Sequence, residues 1–182
     1  VLKLMIDNGR TINSIHTLAD LTSLGRPGPL QQNFHITYAE NNADMSIHPQ
    51  FIRDIFERTG GVLIYQEQVA ELFAKVAFDV YDVHAKEYGI VALKSLVPKN
   101  KKVAESEKFI KGYQKLHDMF MVGGTTYHNL DRNYLETLFT SLDGFIRYGF
   151  NLSHALSYAD VSAQQAWYKF YYPQAFWSVL LN

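Results

Sequence analysis

Gly61-Val62-Leu63-Ile64-Tyr65-Gln66-Glu67-Gln68-Val69-Ala70-Glu71-Leu72-Phe73-Ala74-Lys75-Val76-Ala77 changes period partway along. Its opening apolar residues are too few for more than one extended step. After them Val69, Leu72, Phe73, Val76 and Ala77 recur at i, i+3, i+4, i+7 and i+8, which is the stripe of an amphipathic helix. The same helical period spreads outward in both directions. Upstream, Phe51, Ile52, Ile55 and Phe56 share one face of a helix starting near His48-Pro49, and Thr59-Gly60-Gly61 ends it with residues that tolerate positive φ.

Further upstream, Leu18, Leu21 and Leu24 mark a short helix that Gly25, Pro27 and Pro29 terminate, since proline lacks an amide donor and restricts the residue before it. Residues 31–47, with Asn33, Asn41, Asn42 and Asp44, read as a polar loop. Downstream, a helix is expected from about His84 to Val97, ending at Pro98. Phe109, Ile110, Tyr113, Leu116 and Phe120 mark another, closed by Gly123-Gly124. Asp131 is positioned to cap a helix whose inner face is Leu135, Leu138, Phe139 and Leu142. Ser153 is expected to cap a long last helix through Trp167 to Tyr171, broken at Pro173 and followed by a short one. No strand alternation is sustained, so the expected fold is mostly α, an irregular multi-helix domain.

With 182 residues, 47% of them hydrophobic, the chain can bury one core or two small ones sharing an interface. No apolar run approaches the roughly 18–20 residues of a membrane span, and cysteine is absent, so we expect no membrane partner and an intracellular, cytoplasmic location. The formal net charge of -1 speaks against a generally basic nucleic-acid binder. That average hides segregation. Lys94, Lys99, Lys101, Lys102, Lys108, Lys111 and Lys115 face only Glu105 and Glu107 within their stretch, whereas 40–87 is rich in carboxylates. A local phosphate site on a neutral body is therefore open, as is a solvated lysine-rich turn.

Joining nucleotides by two-metal chemistry needs closely spaced carboxylates, as in an Asp-x-Asp strand, and the sequence has none. Glu67 with Glu71 and Asp79 with Asp82 read as helix-face charge. There is no His-Glu-x-x-His pair, phosphate-binding glycine-lysine loop or Gly-x-Ser-x-Gly elbow. We therefore assign no catalytic residue and no metal ligand. Arg26, held in a proline-glycine turn, suits a guanidinium that must meet phosphate, or else pairs with a carboxylate such as Asp20. Asn151, Ser153, His154 and Tyr158 gather amide, hydroxyl, imidazole and phenol around one helix start, which suits a base pair or phosphate; a capped helix with a core histidine and tyrosine is the other reading. Tyr65, Gln66 and Gln68 read as structural. The aromatics from Trp167 to Trp177 read as core packing, or as a face covered by the rest of a larger polypeptide.

Five words then occur in order: Arg26-Pro27-Gly28-Pro29; His48-Pro49; Gly61-Val62-Leu63-Ile64-Tyr65-Gln66-Glu67-Gln68; Tyr148-Gly149-Phe150-Asn151-Leu152-Ser153-His154-Ala155-Leu156-Ser157-Tyr158-Ala159; and Lys169-Phe170-Tyr171-Tyr172-Pro173. Together they resemble the fingers region of C-family DNA polymerases, the family of the bacterial DNA polymerase III alpha subunit. Between the words the match is loose, as in a divergent, phage-encoded relative. The resemblance implies residues 1–17 as the end of a preceding region or linker, and 18–182 as a fingers-like helical domain cut from a longer polypeptide.

It also implies DNA-directed DNA synthesis as the parent's activity, with template-primer DNA, incoming dNTP and the palm and remaining domains as partners. Mg2+ would be held by palm residues outside this chain, the isolated piece would be inactive, and the setting would be the bacterial nucleoid or a phage-infected cell. By resemblance Lys94, Lys99, Lys101 and Lys102 supply basic contacts to the triphosphate, although Ser95 stands where the family has a second arginine. Asn151, Ser153, His154 and Tyr158 then line the nascent base pair, with charge and aromatic planes converging on one wall. A noncatalytic helical adaptor, or a DNA-binding module retaining the scaffold, is the competing expectation.

Overall fold

Side-chain caps mark where the helical period begins. Ser14 accepts from the Thr17 amide at 3.1 Å, Ser106 from the Phe109 amide at 3.3 Å, and Asp131 from the amides of Asn133 and Tyr134 at 2.9 and 3.1 Å. Each satisfies amides that a helix start leaves without an intrahelical partner. The computed structural model describes residues 1–79, 89, 100–146 and 149–181, with the side chains of 143, 144 and 146 left aside. In order they form α1 (Leu2–Asp7), α2 (Ile15–Leu24), α3 (Pro27–Gln31), α4 (Phe34–Glu40), α5 (Gln50–Phe56), a 3₁₀ turn (Glu57–Thr59), α6 (Gln66–Phe78), α7 (Lys101–Ala104), α8 (Glu107–His128), α9 (Arg132–Ile146), α10 (Leu152–Tyr171) and α11 (Pro173–Leu180). No β-strand occurs among the described residues, and the fold is mostly α as expected. The helix expected from His84 to Val97 lies outside the described residues.

The chain divides into two compact units, one formed by Val1–Asn41 together with Phe150–Asn182, the other by Asn42–Gly149. In the first, α2 packs along α10, and α1 and α3 each pack on α4. Small residues four apart on both long helices, Ala19 and Ser23 on α2 and Ala155 and Ala159 on α10, are buried, which suits close packing of i, i+4 ridges. Beneath them lies a polar knot. The Tyr38 hydroxyl donates to the buried Asp20 carboxylate at 3.0 Å, while Arg10 donates to the Tyr38 carbonyl and places its guanidinium carbon 4.6 Å from the Tyr38 ring centre. Burial, then the Asp20 charge, pushes the Tyr38 hydroxyl well above its ordinary pKa, so it stays a donor.

In the second unit, α6 is buried along one side by Val69, Leu72, Phe73 and Val76, and it packs on α8, which also packs on α9. Phe73, Phe120 and Phe139 form a ring cluster at 5.6 and 5.4 Å. Two histidines of α8, one at mid-helix and one at its last residue, brace this core. His117 lies 2.8 Å from Glu136 and edge-on to Phe139. His128 donates to the Lys75 carbonyl at 2.8 Å and stacks on Phe51 at 4.5 Å.

Three expectations need correction. Residues 31–47 are not all loop, because α4 spans Phe34–Glu40; Asn33 and Asn41 bracket it at φ 59 and 52, so the residues that suggested a loop are its two left-handed ends. Gly123-Gly124 does not close a helix, since α8 runs on to His128. A Cβ on Gly123 would stand 2.6 Å from the Cα of Ala77, and one on Gly124 2.7 Å from a methyl of Leu135, so these glycines permit close approach of α6 and α9. Finally, the cap of α10 is Asn151, whose side-chain oxygen accepts from the His154 amide at 3.0 Å. The Pro27 turn also does more than end a helix: with its fixed φ at the first helical position it begins α3.

Candidate functional site

Gln68 shows how the Tyr65-Gln-Glu-Gln68 word is built. Its side chain is buried; Oε1 accepts from the amides of Ile64 and Tyr65 at 2.9 and 3.0 Å, and Nε2 donates to Thr59 Oγ1 at 2.8 Å and the Ile55 carbonyl at 3.3 Å. One amide thereby ties the end of α5, the 3₁₀ turn and the start of α6, which is the structural role expected for it. His48 is bound nearby: its Nδ1 lies 2.7 Å from the Tyr134 hydroxyl, and its ring packs against Phe56. Burial pushes the Tyr134 hydroxyl up to about 12 and pulls His48 below its ordinary value, with Asp44 acting weakly the other way. Tyr134 is therefore the donor and a neutral His48 the acceptor.

Of the lysines, Lys94 and Lys99 lie outside the described residues, as does Ser95. Lys101 and Lys102 sit on α7, which Asn100 caps through the Val103 amide at 2.9 Å, and both are exposed. Lys101 lies 3.8 Å from Glu105 and Lys111 lies 2.5 Å from Glu107. Such solvent-exposed i, i+4 pairs contribute little to stability. Glu71 pairs with Lys75 at 3.0 Å along α6, an i, i+4 pair that is half-buried rather than exposed. Among the described residues no group of three or more His, Asp or Glu converges as metal ligands would, and no helix is long and apolar enough to cross a membrane.

Arg26, Asn151, Ser153, His154 and Tyr158 all belong to the unit formed by the two chain ends. Arg26 is the extended residue before α3; its Nε donates to the Ser23 carbonyl at 3.2 Å, and its guanidinium carbon stands 4.2 Å from the centre of the Phe150 ring. Partial burial lowers its pKa without discharging it. Phe150 in turn meets His154 at 5.4 Å, and His154 meets Tyr158 edge-on at 4.6 Å and 85°. The result is a continuous cation–aromatic–imidazole–phenol row along the entry of α10. His154 and Tyr158 are exposed, Tyr158 by 53%, which removes the core reading of these two side chains.

Asn151 and Ser153 meet at the start of α10, as the capped-helix reading expects. The Asn151 oxygen receives both the His154 amide and the Ser153 hydroxyl, the latter at 2.6 Å, so this pair shapes the helix start and orients His154. The first residue of that word, Tyr148, lies outside the described residues. Phe150 is the site residue that sequence reasoning passed over. Its membership of the Tyr148–Ala159 word was the only signal for it, because Arg26 lies far away in sequence. The late aromatics Tyr168, Phe170, Tyr171 and Tyr172 are exposed by 54 to 76% and are not core within the described chain.

Residues 9–116 match the family model described as bacterial DNA polymerase III alpha subunit finger domain. The chain is 33% identical over 173 residues to a DNA polymerase III subunit alpha of Ureaplasma parvum, covering 93% of this chain and 16% of that protein. It is 34% identical over 163 residues to an error-prone DNA polymerase of Vibrio campbellii, covering 88% of this chain and 15% of that protein. A DNA polymerase III subunit alpha of Thermus aquaticus is 29% identical over 168 residues, covering 89% and 12%. The chain thus spans about a sixth or less of the length of these relatives. It belongs to the family of the bacterial DNA polymerase III alpha subunit finger domain.

Proposed function

We propose that the chain is the fingers of a DNA-directed DNA polymerase and that it grips incoming dNTP and template-primer DNA while carboxylates of a palm outside this stretch hold Mg2+ and carry the nucleotidyl transfer. The observation that supports this best is the row Arg26–Phe150–His154–Tyr158, half-buried at its first two members and exposed at His154 and Tyr158, on a chain of this family. Aromatic and imidazole planes accept any base by stacking, as template-directed copying requires, each base contributing roughly 1–3 kcal/mol. A guanidinium held by its Nε keeps its remaining N–H groups in a fixed plane, which suits phosphate oxygens. Lys101 and Lys102, with Lys94 and Lys99, would add positive charge toward the triphosphate and stabilise the charge that develops on departing pyrophosphate. Asn151 and Ser153 act beneath these contacts by fixing the α10 entry. In the cell such a parent would work on replicating DNA, in the cytoplasm at the bacterial nucleoid or in a phage-infected host.

Primer extension by the full-length parent polypeptide with Mg2+ and dNTPs tests the reading. The wild type extends a primer, and His154→Ala lowers kcat/KM for dNTP about 5- to 150-fold, the equivalent of one stacking contact, with its melting temperature nearly unmoved because His154 is exposed. Charge reversal at Lys94 raises KM for dNTP. A parent that never extends a primer leaves the noncatalytic adaptor, which Ser95 in place of a basic residue favours.

A further inference from the structure

We infer that Tyr158 is a positioning residue for His154, its ring holding the imidazole in place for the incoming nucleotide, an inference that rests on the polymerase reading above. The two residues lie at i and i+4 on α10, the spacing at which side chains of a helix meet. Their rings stand edge-on, 4.6 Å apart between centroids and at 85°. Both side chains are exposed, Tyr158 by 53%, so no surrounding core fixes either one. Among the described residues no hydrogen bond reaches a ring nitrogen of His154; its one bond of this kind beyond the helix ladder runs from its backbone amide to Asn151 Oδ1 at 3.0 Å.

The Asn151 cap fixes the His154 backbone and leaves the side-chain torsions to ring contacts. Helical side chains lean toward the N-terminal end of their helix, so a ring at i+4 falls over the residue at i. Tyr158 accordingly bounds the imidazole from the C-terminal side. From the other side His154, third residue of α10, meets Phe150 at 5.4 Å and 55°. The Tyr158 contact is the closer of the two and has the T-shaped geometry that aromatic pairs favour. Its spacing is set by the helix itself, and a tyrosine has only two torsions to order. With the imidazole bounded by ring planes, its two nitrogens are left for a base edge or a phosphate oxygen. Loss of the Tyr158 ring would let the imidazole turn, and a nucleotide that needs it at a set place would sense that change through His154.

The test is steady-state single-dNTP incorporation by the full-length parent polypeptide, with Tyr158→Leu, Tyr158→Phe, His154→Ala and the His154→Ala/Tyr158→Leu double variant. Tyr158→Leu is expected to lower kcat/KM about 10-fold or more, toward the ~100-fold that small displacements of contacting groups can cost. Its melting temperature should not fall, since leucine is the better helix former at an exposed position. Tyr158→Phe keeps the ring and restores most of the loss. The double variant is expected to fall no further than His154→Ala, because without the imidazole nothing is left for Tyr158 to hold. Four results would each overturn the inference while leaving the polymerase reading intact: wild-type kinetics in Tyr158→Leu; Tyr158→Phe as impaired as Tyr158→Leu, which makes the hydroxyl the contact; losses that multiply in the double variant, which puts Tyr158 on the ligand by itself; and an activity loss that only tracks a lowered melting temperature. A wild-type parent unable to extend any primer overturns that reading, and this inference with it.

Discussion

Replacing Gly123 by alanine should weaken the chain even though alanine is the better helix former. In a helix interior alanine is favoured over glycine by about 1 kcal/mol. At Gly123 the added Cβ would meet the Val76 carbonyl and stand 2.6 Å from both Cα and O of Ala77, where ordinary contact begins at 3.4 Å. These are backbone atoms of α6, so no side chain can swing aside and the two helices must part. Parting by a fraction of an ångström forfeits a quarter to a half of each contact across the seam, about 1–3 kcal/mol or somewhat more for an overpacked core. After subtracting the propensity gain, the net loss is up to about 2 kcal/mol, or as much as roughly 4–8 °C in melting temperature for a chain of this size. Gly112, on the same α8, has nothing within 4 Å of its would-be Cβ, so Gly112→Ala should gain about 0.5–1 kcal/mol. Thermal unfolding followed by circular dichroism separates the two. If Gly123→Ala melts at or above Gly112→Ala, the close approach of α6 and α8 is not what that glycine serves.

Gln68→Met keeps the volume of the side chain and removes the acceptor for two buried amides and the donor to Thr59, so urea unfolding should show a loss of about 2–5 kcal/mol, whereas exposed Gln66→Ala should stay within about 0.5 kcal/mol. Because burial lowers the pKa of folded His48 below the ordinary 6.5, the unfolded state binds more protons below that value. Stability is then whole above pH 6.5 and declines as pH falls from there to the folded pKa; His48→Asn should flatten this slope below pH 6.5, and an unchanged slope in a pH series would remove His48 as its source. Asn151→Ala should cost about 1 kcal/mol by uncapping α10 while Asn151→Asp costs far less; equal losses in the two variants, measured by denaturant titration, would mean the cap is not what Asn151 contributes.

What could be read in the sequence was whatever depends on near neighbours. The Val69–Ala77 stripe, the Asp131 cap, the helix from Gln50 and the Gly60 stop, at φ 61, are all local patterns, and all are present. Gly123-Gly124 was misread because glycine has the same local signature at a helix end and at a helix crossing; only α6, brought alongside by the fold, tells them apart. The asparagines at 33 and 41 misled in the same way, since a left-handed residue occurs both in loops and at the two ends of a short helix. At the candidate site the residues of the α10 entry stood out as a group, whereas the pairing of Arg26 with Phe150 depends on α2 and α10 lying together, which no local pattern encodes. The mutual hydrogen bonding of Asn151 and Ser153 was hidden for a subtler reason. Both residue types cap helices, and their order of use depends on where the chain bends.

The unit that carries the Arg26–Tyr158 row is assembled from the first and last stretches of the chain, with Asn42–Gly149 contiguous between them. During synthesis from the N-terminus, α1 to α4 emerge from the ribosome long before α10 exists to pack against α2. They must wait partly unburied, while the contiguous middle stretch is already complete and can settle first. A nascent chain stalled before Phe150 would therefore resist proteolysis in its middle and yield at its beginning, and the Arg26–Tyr158 row would be the last part of this piece to come into being.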